Sequence, residues 1–470
     1  MASSTYDVTI IGSGPGGYVA AIRAAQLGMK TALIEKDPTL GGTCLNVGCI
    51  PSKAMLDSTE HYYQAQHQFA EHGIQVTGLK VDLKQMVQRK ADVVKKTTDG
   101  VDFLMRKNKI DVYKGWGSFV DAKTIKITKE DESSEEINSE KVIIATGSEP
   151  ASLPGIEIDG QNIISSTEAL ELTKLPKHMV VIGGGIIATE MASVFGRLGS
   201  QITILEYADR LIPGMDGALG KELAKVLKKE LNCEIHLSHK VVGAKTTKNK
   251  VTVTAENKKG EEVEVSGDIC LMAVGRRPFT DKLGLENIGI ETERGRIPVN
   301  NQMETAIEGI YAIGDVVRGA MLAHKASEEG MYIAEYIAGH RPHINYRAIP
   351  NVVYTWPEVA GVGYTEEELK EEKIPYKKGQ FPFKASGRAR ASMDDQFGFV
   401  KILSHKDNDE LLGMHIIGPR AADMIMEGVM GIEFRASAED LAIFSHPHPT
   451  FSESIKEAAM GATADRIVHL

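Results

Sequence analysis

Cysteine is scarce: the chain has four in 470 residues. That count excludes a secreted disulfide scaffold, and in a reducing compartment a cysteine pair is more often catalytic than structural. Long apolar runs are absent. None approaches the ~18 residues that a membrane span requires. Excess positive charge is absent too. Lys and Arg number 54 against 64 Asp and Glu, for a net charge of −10. That balance disfavours nucleic acid and anionic membranes as partners. The opening residues, Met1 to Tyr6, are polar and run into a strand, so neither a secretory nor a transit peptide is expected. What remains is ordinary for a soluble globular protein, with 42% apolar and 25% charged residues. The length predicts about three domains.

The first informative stretch follows at once. A short apolar strand, residues 6–11, leads into Gly12-Ser13-Gly14-Pro15-Gly16-Gly17 and then a helix to about Leu27. A second strand, 31–34, ends in Glu35, 23 positions after Gly12. Gly12 permits the tight turn, Gly14 lets the backbone approach a pyrophosphate, and Gly17 lets helix and strand pack closely. Glu35 can accept hydrogen bonds from ribose hydroxyls. A lone glycine motif is weak; between two strands and before an acid it indicates a dinucleotide-binding unit.

The pattern returns. Residues 179–182 form a strand, Gly183-Gly184-Gly185 the turn, and a helix runs to Leu198. A strand over 202–205 ends in Glu206, again 23 positions after the first glycine. The first copy spans 135 positions from Gly12 to Gly147, and the second 92 from Gly183 to Gly275. The 43 extra positions hold a second informative stretch and the helices after it. That stretch is Gly41-Gly42-Thr43-Cys44-Leu45-Asn46-Val47-Gly48-Cys49-Ile50-Pro51-Ser52-Lys53.

Two thiols five positions apart can pair only if their α-carbons come within ~7 Å. A regular helix keeps them too far apart, whereas a glycine-rich loop turning into a helix start does not. A helix N-terminus also favours a thiolate. The pair reads as a redox-active disulfide. The alternatives are two buried structural cysteines or half a zinc site, though no second ligand pair follows. Two dinucleotide sites and one redox pair imply an electron relay.

Further along, residues 55 to about 108 read as helical, strands are expected near 110–113 and 124–128, and 129–141 reads as a loose hairpin connection. Residues 305–315 end a strand in Gly314-Asp315, and Leu322-Ala323-His324-Lys325-Ala326 opens a helix. From Asn351 the composition changes to an antiparallel α/β pattern without nucleotide signals. Near the end stands His446-Pro447-His448-Pro449-Thr450-Phe451-Ser452-Glu453. Two histidines in a proline-stiffened loop are poor core material. The spacing lets Glu453 orient the His448 imidazole as a base, which thiol–disulfide exchange requires. Glu190, an acid one turn into an apolar helix face, is odd unless paired. The predicted fold class is α/β, with two Rossmann-like dinucleotide-binding domains and a C-terminal α+β domain. The boundaries expected are 1–149, 150–275, 276–349 returning to the first domain, and 350–470.

The string GGTCLNVGCIPSK resembles the redox-disulfide motif of the pyridine nucleotide-disulfide oxidoreductases. Its ending, CIPSK, is most similar to the dihydrolipoamide dehydrogenase branch. The resemblance covers essentially the whole chain, with four motifs in family order. It implies FAD at Gly12, Gly14, Gly17, Glu35, Thr43, Lys53, Thr146, Gly147, Asp315 and Ala323. It implies NAD at Gly183, Gly185, Glu206 and Gly275, and a Lys53–Glu190 ion pair beside the flavin. No metal is implied. Residues 350–470 would dimerise the chain, and His448 with Glu453 would complete the active site of the other subunit.

The implied reaction oxidises dihydrolipoamide on the lipoyl domains of 2-oxoacid dehydrogenase complexes, or of glycine cleavage systems. His448 takes a thiol proton, the substrate thiolate attacks Cys44, Cys49 passes electrons to the flavin, and NAD⁺ is reduced. A bacterial cytoplasm or a mitochondrial matrix would be the compartment.

Three positions depart from the family pattern: Ala188 where NAD-binding members have Gly, Thr189 where an apolar residue is common, and Pro447 where Ala is usual. An NADPH-linked glutathione, trypanothione or mercuric reductase is one rival. It lacks support from residues 206–209 (Glu-Tyr-Ala-Asp), which are acidic where a 2′-phosphate needs cations, and from the absence of cysteine after Cys270. A redox-inactive flavoprotein is the other, and retention of both cysteines and of the dyad opposes it.

Overall fold

The computed structural model describes residues 4–248, 250–464 and 467–469. The chain divides into two compact units. One comprises 1–54, 85–151 and 275–344; the other comprises 55–84, 152–274 and 345–470.

The first unit is built on Thr5–Ile11, whose alternate and then continuous burial marks a central strand. Thr31–Glu35 and Ser134–Ile144 flank it in parallel, and Asp111–Lys114 extends the sheet beyond Thr31–Glu35. Ser134–Ile144 does double duty. Its second half pairs in parallel with Thr5–Ile11 and Ile310–Ala312, while its first half pairs antiparallel with Thr124–Thr128. The helix Pro15–Gln26 buries small residues only, Gly16, Gly17, Ala20, Ala21 and Ala24, so it packs closely.

The second unit repeats this plan with a parallel sheet in the order Glu234–Leu237, Gln201–Glu206, His178–Ile182, Ile269–Met272, Ile163–Ile164. A three-stranded antiparallel sheet follows, from His239–Thr247, Lys250–Asn257 and Glu262–Gly267. The C-terminal part is a five-stranded antiparallel sheet with helices Ala421–Glu433 and Glu453–Ala464. Its core holds Phe381, Phe383, Ile402, Met414 and Ile416. The fold class is therefore the α/β arrangement expected. Among the described residues no helix is long and apolar enough to cross a membrane.

Several local expectations need correction. Residues 55–108 are not one helical stretch: helices run Cys49–His67 and Leu83–Lys107, with 68–82 outside both. Gly73 and Gly78 take positive φ there, which breaks the helix. The expected loose connection 129–141 is mostly strand. Ser134–Ile144 begins there because Ile137 finds a buried position opposite Ile125, while Glu135 and Glu136 stay in water. Strands Trp116–Phe119, His239–Thr247 and Tyr376–Pro382 were not anticipated, nor was the helix Glu453–Ala464.

Candidate active site

In the first unit the glycines do separate jobs. Gly12 has φ +101°, and a Cβ there would lie 2.4 Å from the Ala145 carbonyl oxygen. A Cβ on Gly17 would lie 1.9 Å from the Gly12 carbonyl oxygen. Nothing lies within 4 Å of a Cβ placed on Gly14, which is the N-cap of Pro15–Gln26 and offers no side-chain cap. Helices elsewhere, such as those after Ser165, Thr365 and Ser437, are capped by side chains. Open space over uncapped amides fits the pyrophosphate of a dinucleotide. Glu35 braces the turn. Its Oε2 accepts from the Ser13 amide at 3.0 Å and hydroxyl at 2.5 Å, and its Oε1 from the Asp37 amide at 2.8 Å.

The redox segment is seated directly on this turn. The Gly41 amide donates to the Ser13 carbonyl at 3.0 Å, and a Cβ on Gly42 would lie 2.6 Å from Gly14 Cα. Gly42–Val47 is a short helix, Gly48 breaks it, and Cys49 is the first residue of Cys49–His67. Cys44 and Cys49 form a disulfide, with 4.7 Å between α-carbons. Asn46 ties the short helix down, donating to the carbonyls of Leu40 at 3.0 Å and Gly42 at 2.9 Å and accepting from Thr39. Thr43 is exposed, while Lys53, one turn beyond Cys49, is half-buried. The other two thiols are unsuited to exchange: burial pushes Cys233 and Cys270 up to about 12.

Other predicted flavin residues in this unit are held by partners that sequence reading missed. The Thr146 hydroxyl donates to the Phe279 carbonyl at 2.6 Å, and Gly147 has φ +74°. Asp315 accepts from the Ser148 hydroxyl at 2.5 Å, and Arg276 donates to that hydroxyl at 2.7 Å and to the Ser148 carbonyl at 2.6 Å. The Gly314-Asp315 turn rests on a fully buried pair. Lys325 Nζ lies 2.9 Å from Glu329 Oε1, and Glu329 Oε2 accepts from the Gly314 amide at 2.7 Å. Ala323 opens Ala323–Ile337, another helix without a side-chain cap. Gly275, expected at the NAD site, falls in this unit with φ +119°.

In the second unit Gly183 has φ +103°, and a Cβ there would lie 2.4 Å from the Ala273 carbonyl oxygen. Nothing lies within 4 Å of a Cβ on Gly185, the uncapped N-cap of Ile186–Arg197. Glu206 accepts from the Gly184 amide and, at 2.6 Å, from the Ala208 amide. These residues fit a second dinucleotide. Ala188 is fully buried, and Thr189 turns its hydroxyl back to the Gly185 carbonyl at 3.0 Å. Glu190 is 3% exposed and accepts from the Tyr354 amide at 3.0 Å.

The C-terminal histidines differ. His446 has a side chain only 7% exposed, its Nε2 lies 3.2 Å from Glu427 and its Nδ1 lies 3.2 Å from the Phe444 carbonyl. That bond to Glu427 holds its pKa above the ordinary value. His448 has a side chain 80% exposed, and its Nδ1 lies 2.9 Å from Glu453 Oε1. Glu453 in turn accepts from the Thr450 amide at 2.8 Å. Burial alone would raise the Glu453 carboxyl; the Thr450 amide and the imidazole outweigh it and hold it below the ordinary range. The result is an oriented imidazole with Nε2 open to solvent.

The pyridine nucleotide-disulphide oxidoreductase model matches residues 6–330, and the dimerisation domain of the same family matches 349–459. The chain is 49% identical over 470 residues to the mitochondrial dihydrolipoyl dehydrogenase 2 of Arabidopsis thaliana, covering all of this chain and 92% of that protein. It is 48% identical to the mitochondrial dihydrolipoyl dehydrogenase of Sus scrofa, covering 98% and 92%. Among solved structures, LpdA from Mycobacterium tuberculosis is similar at a TM-score of 0.88 and 27% identity, covering 97% of this chain and 99% of that one. The HOCl-induced flavoprotein disulfide reductase RclA from Escherichia coli, as its Cu(II) complex, is similar at 0.86 and 28%, with the same coverage. With its redox disulfide at Cys44–Cys49, this chain belongs to the pyridine nucleotide-disulphide oxidoreductase family, and within it to the dihydrolipoyl dehydrogenases.

Proposed function

We propose that this protein oxidises protein-bound dihydrolipoamide with NAD⁺ as acceptor, as a homodimer carrying FAD at the first glycine turn and NAD at the second. The observation that carries this reading is the Cys44–Cys49 disulfide seated on an uncapped glycine turn, with Gly42 against Gly14. When bound, FAD supplies the two-electron link between the dithiol and NAD⁺. The chain does the rest. His448 Nε2 takes the proton of one substrate thiol, and Glu453 steadies the imidazolium. The thiolate attacks Cys44 Sγ, the Cys44–Cys49 bond breaks, and Cys49 leaves as a thiolate at a helix start, which favours the anion. The second substrate thiol then displaces Cys44, which releases the cyclic disulfide. Lys53 and Glu190 are assigned to the flavin surroundings.

The working division is 1–149 for FAD, 150–275 for NAD, 276–349 for the return to the FAD domain and 350–470 for dimerisation. Dimerisation is supported by exposed apolar side chains at helical spacing, Met426, Met430 and Phe434, with Ile443 and Phe444 next to the histidine loop. In a dimer the His448 of one subunit would serve the disulfide of the other. The partners are lipoyl domains of 2-oxoacid dehydrogenase complexes. Mitochondrial relatives support a matrix site of action, and the bacterial cytoplasm is the alternative.

One pair of assays tests the reading. NAD⁺ reduction with dihydrolipoamide should be fast, and NADPH oxidation with glutathione disulfide negligible. The reverse would make the protein a glutathione-type reductase.

A further inference from the structure

Coenzyme choice rests on more than Glu206. In this chain Arg210 is the cation nearest in sequence to that carboxylate, and an arginine there would suit a 2′-phosphate. Its backbone is held close to the turn. The next residue, Leu211, is fully buried, and its Cδ2 would lie 2.7 Å from a Cβ on Gly184. The Ile212 amide donates to the Gly184 carbonyl at 2.8 Å. The Arg210 guanidinium, however, is engaged elsewhere: Nη1 lies 3.5 Å from Glu367 Oε1. Glu367 belongs to Glu366–Glu371 in the C-terminal part of the chain, and its Oε2 accepts from the Gly217 amide at 3.3 Å. Gly217 leaves room for this pair. A Cβ there would lie 2.5 Å from Glu367 Oε1 and 3.0 Å from Arg210 Nη1.

We infer that Glu367 is a specificity-positioning residue: by engaging Arg210 it keeps that cation from a 2′-phosphate, and so deepens the preference for NAD over NADP. The inference rests on the reading that Glu206 faces the adenosine ribose. The ion pair is partly exposed, with side chains 33% and 44% accessible, so its effect is modest beside that of Glu206.

The test starts from Glu206→Val and adds Glu367→Gln, which keeps an acceptor for the Gly217 amide but removes the charge. The NADP⁺/NAD⁺ ratio of kcat/KM should rise roughly five- to tenfold beyond Glu206→Val alone, the discounted worth of one charge-assisted contact. Calorimetric binding of 2′,5′-ADP against 5′-AMP should move the same way, independently of turnover. Gly217→Ala, which crowds the pair without altering a charge, should give a smaller shift of the same sign. Adding Arg210→Ala should cancel both gains. Gains that survive Arg210→Ala, or no gain from Glu367→Gln where Glu206→Val alone shifts preference, would overturn the inference. If Glu206→Val itself shifts nothing, the ribose reading fails instead.

Discussion

The two glycine turns, 171 positions apart, are one device built twice and then put to different ends. The first glycine amide donates to a carbonyl near the end of the neighbouring strand, Gly12 to Ile34 and Gly183 to Leu205. The acid clamps the second turn residue with one oxygen and the amide two residues beyond itself with the other, Glu35 on Ser13 and Asp37, Glu206 on Gly184 and Ala208. Leu40 and Leu211 are both fully buried five residues past the acid. The next amide closes the loop on the turn, Gly41 to Ser13 and Ile212 to Gly184. Beyond that bond the copies part. After Gly41 the chain enters the helix that carries Cys44; after Ile212 it reaches Asp216, which caps an ordinary helix with its side chain.

The difference teaches where redox chemistry was added to a nucleotide-binding frame. It follows the last shared hydrogen bond. Gly41 has φ +103° there, whereas Ile212 keeps the same bond at φ +44°, a conformation rare for a β-branched residue. Both acids already serve as braces, so the ribose recognition proposed for Glu35 and Glu206 would use a carboxylate held in place beforehand.

The largest expected effect breaks the asymmetry outright. Cys44→Ser and Cys49→Ser should each abolish dihydrolipoamide oxidation while FAD stays bound, read by turnover and by flavin content. Next comes the base. His448→Gln should lower turnover by roughly 10²–10⁴, with electron transfer from NADH to the flavin far less affected. His446→Gln should do much less, since that ring is engaged by Glu427 and Phe444. Mixed dimers of Cys44→Ser and His448→Gln chains should regain activity if the site is shared; proven exchange without recovery would argue for a site within one chain.

A third substitution sharpens the second turn. The unmodified protein should favour NAD⁺ over NADP⁺ by roughly 10²-fold or more in kcat/KM, and Glu206→Val should lose much of that preference. Equal use of both coenzymes by the unmodified protein would show that Ala188 or Arg210 outweighs the carboxylate. The smallest effect compares the third small positions. Gly17→Ala forces a methyl onto the Gly12 carbonyl and should cost about 1–3 kcal/mol in thermal unfolding, with weaker FAD retention. Ala188→Gly should cost only about 0.5–1 kcal/mol. Equal costs would mean that the two turns pack alike.

What the sequence made legible follows from what local chemistry demands. Gly12, Gly17 and Gly183 could be recognised because positive φ or backbone contact tolerates nothing larger. The disulfide was readable from glycine spacing around two cysteines, and the His448–Glu453 bond from a five-residue separation. Residues whose partners lie far along the chain were invisible. Ser148 lies 128 positions from Arg276 and 167 from Asp315, and nothing near any of them announces the cluster. The Lys325–Glu329 pair has helical spacing, yet such spacing usually marks a solvated face, and only burial reveals its role under Gly314. Asn46 was overlooked inside a motif read for its thiols. Residues 68–82 lie between two helical patterns with no proline to break them, and the interruption rests on Gly73 and Gly78 at positive φ.

The central claim is that the disulfide next to the first glycine turn hands electrons to a flavin held there, with Cys49 as the inner sulfur. The visible spectrum of Cys44→Ser, purified with FAD and given no reductant, tests it most directly. The account predicts a long-wavelength charge-transfer band in Cys44→Ser, where Cys49 is left as a free thiolate beside the ring, and none in Cys49→Ser. The band in Cys49→Ser instead would reverse the two sulfurs, and its absence from both would contradict the claim.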